Sequence, residues 1–230
     1  MEGEPAITTV LFDAGGTLVH LDYRFLQQEL HRVGLRVTQH AIRQAEYMSR
    51  FEIDRNLFES AAHSTDETRR RPYFAVLLDQ LAVDVDTTAH LVERLEGAHA
   101  QDNLWRVMLP STPRVLERLR GRGFTLGVIS NADGRITSLL RQCGIQQFFD
   151  VIIDSHIVGV EKPDPRIFQL ALEQVGARSE QALFIGDIYS IDVVGAKRAG
   201  LRPVLLDVLG GYVGVPCKKI RHLRELLSVV

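Results

Sequence analysis

Apart from a first apolar run near the amino terminus, it is the stretch after Pro110 that alternates short apolar runs with helical periodicity. Ile7 to Phe12 reads as a buried strand. Phe124 to Ile129, Val151 to Ile153, Ala182 to Ile185 and Pro203 to Leu206 read as four more. The helical patterns between them have recognisable ends. Thr112-Pro113 opens one with proline at its first position, and Gly121 and Gly123 close it. Asp133 can cap the helix of Ile136, Leu139 and Leu140, which ends near Gly144. Asp164-Pro165 starts the helix of Ile167, Phe168, Leu170 and Leu172, and a further helix ends at Gly200. The tail from Lys218 to Leu227 reads as an edge helix with a basic face. Strands alternating with helices imply right-handed crossovers and a parallel sheet.

The region from about Leu21 to Trp105 differs in kind, with helical patterns and no convincing strand. Phe25, Leu26, Leu30 and Val33 share one helical face, and Gly34 offers a stop. Thr38 can cap a long helix through Ala41, Ile42, Ala45, Met48 and Phe51. Asp66 can cap another, with Phe74, Leu77, Leu78 and Leu81 inside, and Asp86 or Thr87 can begin a fourth with Leu91, Val92 and Leu95. Four helices in one block read as a small bundle. The expected fold is therefore α/β: a doubly wound, Rossmann-like parallel-sheet core of residues 1–20 and 106–230, interrupted after its first strand by an α-helical bundle of residues 21–105.

Bulk properties narrow the function classes. The chain has 230 residues and a formal net charge of −2, and Arg69-Arg70-Arg71 is its one triple of positive charge, so nothing suggests a nucleic-acid surface. The triple reads as a solvated helix face. No apolar stretch approaches the length of a membrane span. The start, Met1-Glu2-Gly3-Glu4-Pro5, lacks the basic and apolar regions of a secretory signal, and a cytoplasmic location is expected. Cys143 and Cys217 make no disulfide framework and no metal-ligand spacing.

Candidate chemistry gathers where strands should end. Asp13 closes the first apolar run and is followed by Ala14-Gly15-Gly16-Thr17, and a carboxylate at the carboxyl edge of a buried strand is where an open α/β sheet does chemistry. The glycines let backbone approach a ligand closely. Later clusters are Ser130-Asn131, Lys162-Pro163 and Gly186-Asp187 with Asp192. In this order, and with a helical insertion between the first two, they resemble the haloacid dehalogenase superfamily of hydrolases over the whole chain. The resemblance implies that Asp13 is the nucleophile, forming an aspartyl-phosphate. It implies that Asp13, the Gly15 carbonyl, Asp187 and Asp192 surround a Mg²⁺ ion, with Asp192 as ligand or anchor. Ser130, the amides around Asn131, and Gly16 would bind phosphate. Lys162 would clamp the nucleophile and the transferring phosphoryl group. Thr17 would orient the loop or bond the acid. The insertion would be a specificity cap, hinged near Leu18–Leu21 and Leu104–Pro110, that closes over a small phosphorylated metabolite. The oligomer, monomer or homodimer, is left open.

One position departs from the pattern. Phosphatases of this superfamily usually carry an aspartate two residues beyond the nucleophile, which protonates the leaving alkoxide and then activates water. Here that position is Gly15, and general acid–base help is typically worth about 10²–10⁴ in rate. The chain can be a phosphatase that is slow or takes good leaving groups, one in which His20 substitutes, or a non-catalytic phosphate-binding remnant. Two relatives that lack the second aspartate bear on the choice. Phosphonoacetaldehyde hydrolases need a cap lysine, and no lysine precedes Lys162, which excludes that mechanism. Metal-free 2-haloacid dehalogenases lack a Gly-Asp metal motif like Gly186-Asp187, and an unneutralised Asp187 would repel both the attacking carboxylate and a carboxylate substrate.

Overall fold

The structure, a computed structural model, describes residues 5–60 and 66–230, without the side chains of residues 56–72. Along the described chain the strands are β1 (Thr9–Phe12), β2 (Val19–His20), β3 (Val107–Met108), β4 (Thr125–Ser130), β5 (Val151–Asp154), β6 (Ala182–Gly186), β7 (Arg202–Leu206) and β8 (Lys218–Ile220). Strands β2 and β3 pair with each other, and the other six form one sheet in the order β5-β4-β1-β6-β7-β8. Every neighbouring pair in that sheet is parallel. The helices are α1 (Tyr23–Arg32), α2 (Gln39–Ser60), α3 (Asp66–Gln80), α4 (Val85–Gln101), α5 (Ser111–Gly121), α6 (Ile136–Gln142), α7 (Ser155–Val158), α8 (Pro165–Val175) and α9 (Val194–Arg198).

Contacts divide the chain into two compact units: residues up to His20 together with those from Met108 onward, and Leu21–Val107. In the first unit, Leu11, Ile129, Val151, Ile153 and Phe184 project from four strands onto one face of the sheet. Ile167, Phe168, Ala171 and Leu172 of α8 cover them, with Ala196 of α9. Successive strand residues point to opposite faces, so Val10, Phe12, Val128, Leu183 and Ile185 turn the other way. They are buried too, as are Val115, Leu116 and Leu119 of α5 and Leu139 and Leu140 of α6. A parallel sheet covered on both faces is the doubly wound arrangement, and its strands are apolar throughout for that reason. From β1 the chain fills one side through β4 and β5, then crosses to the other side with β6. The crevice where strand order reverses therefore opens at the carboxyl ends of β1, β4 and β6.

The second unit is a bundle of α1 to α4. Its core includes Leu26, Leu30, Ile42, Phe74, Leu77, Leu78, Leu91 and Leu95, with Trp105 packed against it. Trp105 meets the rings of Tyr73, Phe74 and His99 at centroid separations of 5.3–5.8 Å. Thr38 caps α2, accepting from the Ala41 amide at 3.1 Å.

Several expectations need correction. Helix α4 starts at Val85 and is capped by Asp84, which accepts from Thr87 N at 3.0 Å, not by Asp86 or Thr87. Helix α5 begins at Ser111, so Pro113 is its third residue. Asp133 does not cap α6; its carboxylate pairs with Arg135 at 2.6 Å. The amide of Ile136 goes instead to Asp154, at the end of β5. The tail is not a helix from Lys218. Lys218–Ile220 is an edge strand paired with β7, and a 3-10 segment, Leu223–Ser228, follows. The expected cap at Asp66 and the side chains of Arg69, Arg70 and Arg71 lie outside the described residues.

Helix α2 buries a polar face. Met48 is 46% exposed, whereas Glu46, Ser49 and Arg50 are buried. Glu46 accepts hydrogen bonds from Tyr73 (2.7 Å), Arg50 (2.9 Å) and Tyr23 (3.3 Å), so one carboxylate joins three helices. The same carboxylate and the burial of the rings push both tyrosine hydroxyls well above their ordinary pKa, burial contributing more. A charge taken out of water is tolerable only with such partners. Glu46→Ala is expected to destabilise the helical unit by about 3–5 kcal/mol, read as a lower urea midpoint; a shift of only a few tenths of a kcal/mol would show that the network carries little of the packing.

Candidate active site

The carboxyl edge of the sheet assembles the site in the first unit. Asp13 leaves β1 with its amide still held by the Ile185 carbonyl (2.8 Å), so its backbone is fixed by the neighbouring strand β6. The chain then turns tightly. The Ala14 carbonyl accepts from Leu18 N (2.8 Å) and Val19 N (3.0 Å), and Gly16 N donates to the Val19 carbonyl (2.7 Å). Gly16 sits at φ +86°, a conformation that disfavours any side chain. Thr17 is buried, and its hydroxyl has no hydrogen-bond partner among the described residues, so it does not bond Asp13.

Lys162 arrives from the loop between α7 and α8. Its ammonium lies 2.6 Å from Asp13 Oδ1 and 2.7 Å from Asp192 Oδ1, and its side chain is 2% exposed. Asp192 belongs to a single wide helical turn, Tyr189–Val193, after β6. Its other oxygen, Oδ2, accepts from the amides of Asp187 and Ile188, both at 3.0 Å. Both oxygens of Asp192 are thus engaged in shaping the site. Asp187 directly follows β6. Ligand atoms of Asp13, Asp187 and Asp192, all buried, lie within 4.8 Å of one another, the one such group found among the described residues.

The electrostatics of this cluster are lopsided. Three carboxylates face one ammonium, a formal charge of −2 in a buried space. Burial pushes Asp13 up to about 6, Lys162 opposes the rise and Asp192 adds to it. For Lys162, burial alone would lower the ammonium; Asp13 and Asp192 outweigh it and hold it above the ordinary lysine range. Asp13 Oδ2 is buried without a hydrogen-bond partner among the described residues. Hard oxygen donors with a charge deficit of two fit a small divalent cation.

Other expected site residues fall close by. Ser130 is the last residue of β4 and is buried. Asn131 follows it, with its side chain bonded to the main chain of Lys162. Gly15 is half-buried, and left-handed φ is found at Gly16 but not at Gly15. His20 is buried at the end of β2. The sequence reading missed two residues, Asp154 and Ser155. Asp154 lies beside Ser130 in the sheet and accepts from the amides of Gly134 (3.1 Å), Ile136 (3.2 Å) and His156 (3.0 Å). The Ser155 hydroxyl oxygen accepts from Ala132 N at 3.1 Å. Together they stitch down the loop after Ser130. An acidic residue at a strand end was the available signal.

A family model described as haloacid dehalogenase-like hydrolase matches residues 7–200. The chain belongs to this family. It is 30% identical over 234 residues to the glyceraldehyde 3-phosphate phosphatase of Methanopyrus kandleri, covering 97% of each chain. It is 38% identical over 102 residues to the enzyme of that name from Methanothermobacter thermautotrophicus, covering 43% of this chain and 44% of the relative. The chain thus spans less than half of that relative in the match. Among solved structures, a HAD hydrolase from Bacillus subtilis bound to magnesium, YfnB, superposes with a TM-score of 0.70 at 23% identity, covering 98% of this chain and 99% of the other. The fold is shared with dehalogenases as well. The 2-haloacid dehalogenase of Pseudomonas syringae pv. Tomato superposes with a TM-score of 0.58 at 25% identity, each chain 97% covered.

Gly186 of this haloacid dehalogenase-like hydrolase has no room for a side chain. A Cβ there would fall 2.2 Å from Asp192 Cγ and 2.3 Å from Oδ2, well inside contact distance. Gly186→Ala should displace the carboxylate that orders Asp187 and Lys162, lowering Tm and cutting turnover of any substrate about 10²-fold or more. Wild-type melting and turnover in that variant would show that Asp192 can move without consequence.

Proposed function

We propose that this hydrolase is a magnesium-dependent phosphatase of small phosphorylated metabolites that works through an aspartyl-phosphate on Asp13. The observation that carries the reading is the Lys162 ammonium bridging Asp13 and Asp192, with Asp187 beside them and too little positive charge among them. The phosphatase names of relatives over the whole chain and over part of it support the same substrate class. Asp13 and Asp187 would hold the ion with the Gly15 carbonyl, while Asp192, its oxygens already bonded, positions Asp187 and Lys162. A bound magnesium ion neutralises the crowded carboxylates and the substrate phosphate and polarises the phosphoryl group.

The protein's own groups then divide the work. An Asp13 oxygen attacks phosphorus; the new O–P bond forms as the ester O–P bond breaks and the alkoxide departs. Lys162 holds Asp13 in line and meets charge on the phosphoryl oxygens. Ser130 and the main-chain amide of Asn131 bind the remaining phosphoryl oxygens. The amides of Ala132 and Gly134 are already taken by Ser155 and Asp154. Gly16, whose own amide donates to Val19, serves by letting backbone come close. Water later hydrolyses the acyl phosphate. Gly15 offers no proton to the leaving group, so substrates whose leaving groups depart as stable anions, such as acyl and aryl phosphates, are favoured. A three-carboxylate cluster suits an attack on a carboxylate-bearing haloacid poorly, since like charges would face one another.

A panel of phosphate esters assayed with magnesium and with a chelator tests the reading. Turnover should need the metal and vanish in Asp13→Asn. Chelator-insensitive halide release from 2-haloacids would replace the reading with dehalogenation, and tight phosphate binding without any turnover would replace it with a binding remnant. Rates should climb steeply as the leaving-group pKa falls. Gly15 lacks a left-handed φ, so its φ does not bar a side chain. Gly15→Asp should raise alkyl-ester turnover, by up to about 10²–10⁴, more than aryl-ester turnover. A flat leaving-group dependence, abolished by His20→Ala, would instead give the acid's role to His20.

A further inference from the structure

We infer that Asn131 is a positioning residue whose side chain fixes the main chain of Lys162. The inference rests on the phosphatase reading for its kinetic consequence, and on geometry alone for the tie itself. Asn131 Nδ2 donates to the Lys162 carbonyl at 2.9 Å, and the Lys162 amide donates to Asn131 Oδ1 at 2.8 Å. One carboxamide therefore reads both the N–H and the C=O of one residue, as a neighbouring strand would. The two residues lie 31 positions apart. Asn131 directly follows β4, a central strand, whereas Lys162 sits in the irregular segment between α7 and α8. The tie thus transfers the position of the sheet to a loop with no ladder of its own.

The chemistry needs such a tie. A lysine carries a long flexible stem, and a buried ammonium that must meet Asp13 and Asp192 at 2.6 and 2.7 Å gains accuracy only if its Cα is held. Asparagine suits the task because its short side chain offers a donor and an acceptor side by side. Aspartate supplies acceptors only, and leucine keeps roughly the shape with neither. The Asn131 side chain is therefore occupied with Lys162, which leaves its main-chain amide, among the groups expected to bind phosphate, for a ligand.

The test uses Asn131→Leu and Asn131→Asp in the full chain, each checked by thermal melting. The Lys162 amide should exchange with solvent roughly tenfold faster in Asn131→Leu, the equivalent of one lost hydrogen bond. With an aryl phosphate and magnesium, kcat should fall about 10²-fold with a much smaller change in KM, as for a misplaced group acting in the transition state. In a Lys162→Met background the Asn131 substitutions should cost nothing further. Asn131→Asp, which keeps the bond from the Lys162 amide and the volume, covers the case in which the leucine variant fails to fold; its kcat should fall and show the same non-additivity. Unchanged exchange at residue 162, or losses that add to that of Lys162→Met, would overturn the inference. Failure of the phosphatase reading looks different: the wild type would turn over no ester, and amide exchange at residue 162 would still decide the tie.

Discussion

A buried ammonium held between two carboxylates sets the terms for the rest of this molecule. Charges leave water at large cost unless each finds a partner at close range. Lys162 finds two, Asp13 and Asp192, and they come from opposite sides of the strand-order reversal. Much of the local architecture serves to keep these groups in register. The Ile185 carbonyl holds the Asp13 amide, Gly186 makes room for the Asp192 carboxyl, and Asp192 in turn holds the amides of Asp187 and Ile188. A breach at any of these points leaves a buried charge without its partner, which costs more than the pair contributes when intact.

The sheet order explains why residues so distant in sequence converge. Because β1 is central, with β4 on one side and β6 on the other, the loops after all three strands share one edge. A parallel sheet sends every such loop to the same edge, so chemistry collects there without long excursions of the chain. Ser130 and Asp154 lie side by side in the pairing of β4 with β5. That register lets one carboxylate organise the loop that follows its neighbour. The rigid strands supply positions, and the loops supply functional groups.

How much of this could be read beforehand follows from the range of the interactions. The central strands were legible because burial on both faces leaves uninterrupted apolar runs. Asp13 and Asp187 stood out at their ends, and Lys162 and Asp192 in the segments that follow, Lys162 falling between α7 and α8 and not at a strand end as expected. Strand β8 was not, because Lys218 and Lys219 are exposed and only Ile220 is buried, so a three-residue edge strand looks like a basic helix face. Helix α2 misled for the opposite reason. Glu46 is buried through bonds to Tyr73 and Tyr23 on other helices, Arg50 and Ser49 are buried beside it with bonds to Glu46 and the Ala45 carbonyl, and hydrophobic periodicity takes no account of such bonds. The start of α4 slipped because Asp84 and Asp86 are both good caps, and only geometry chooses between them. Asn131 and Asp154 resisted for a further reason. Their partners are main-chain groups, which leave no mark on the side-chain pattern, and all but the His156 amide lie some twenty to thirty residues away.

The same geometry bears on what can make up for the absent side chain at Gly15. Lys162 is the one cation bonded to the nucleophile among the described residues, and an ammonium is in principle a proton donor. Here it is a poor one. Two carboxylates grip its proton-bearing nitrogen and raise it above the ordinary lysine range despite burial, so surrendering a proton would leave an uncompensated anionic pair. Lys162 is built to keep its charge, which suits stabilising a phosphoryl group and disqualifies it from general acid catalysis. In the proposed reaction, then, the site attends to the nucleophile and the transferred group and does little for the departing oxygen. Selectivity for the leaving group would follow from that imbalance, independently of any pocket shape.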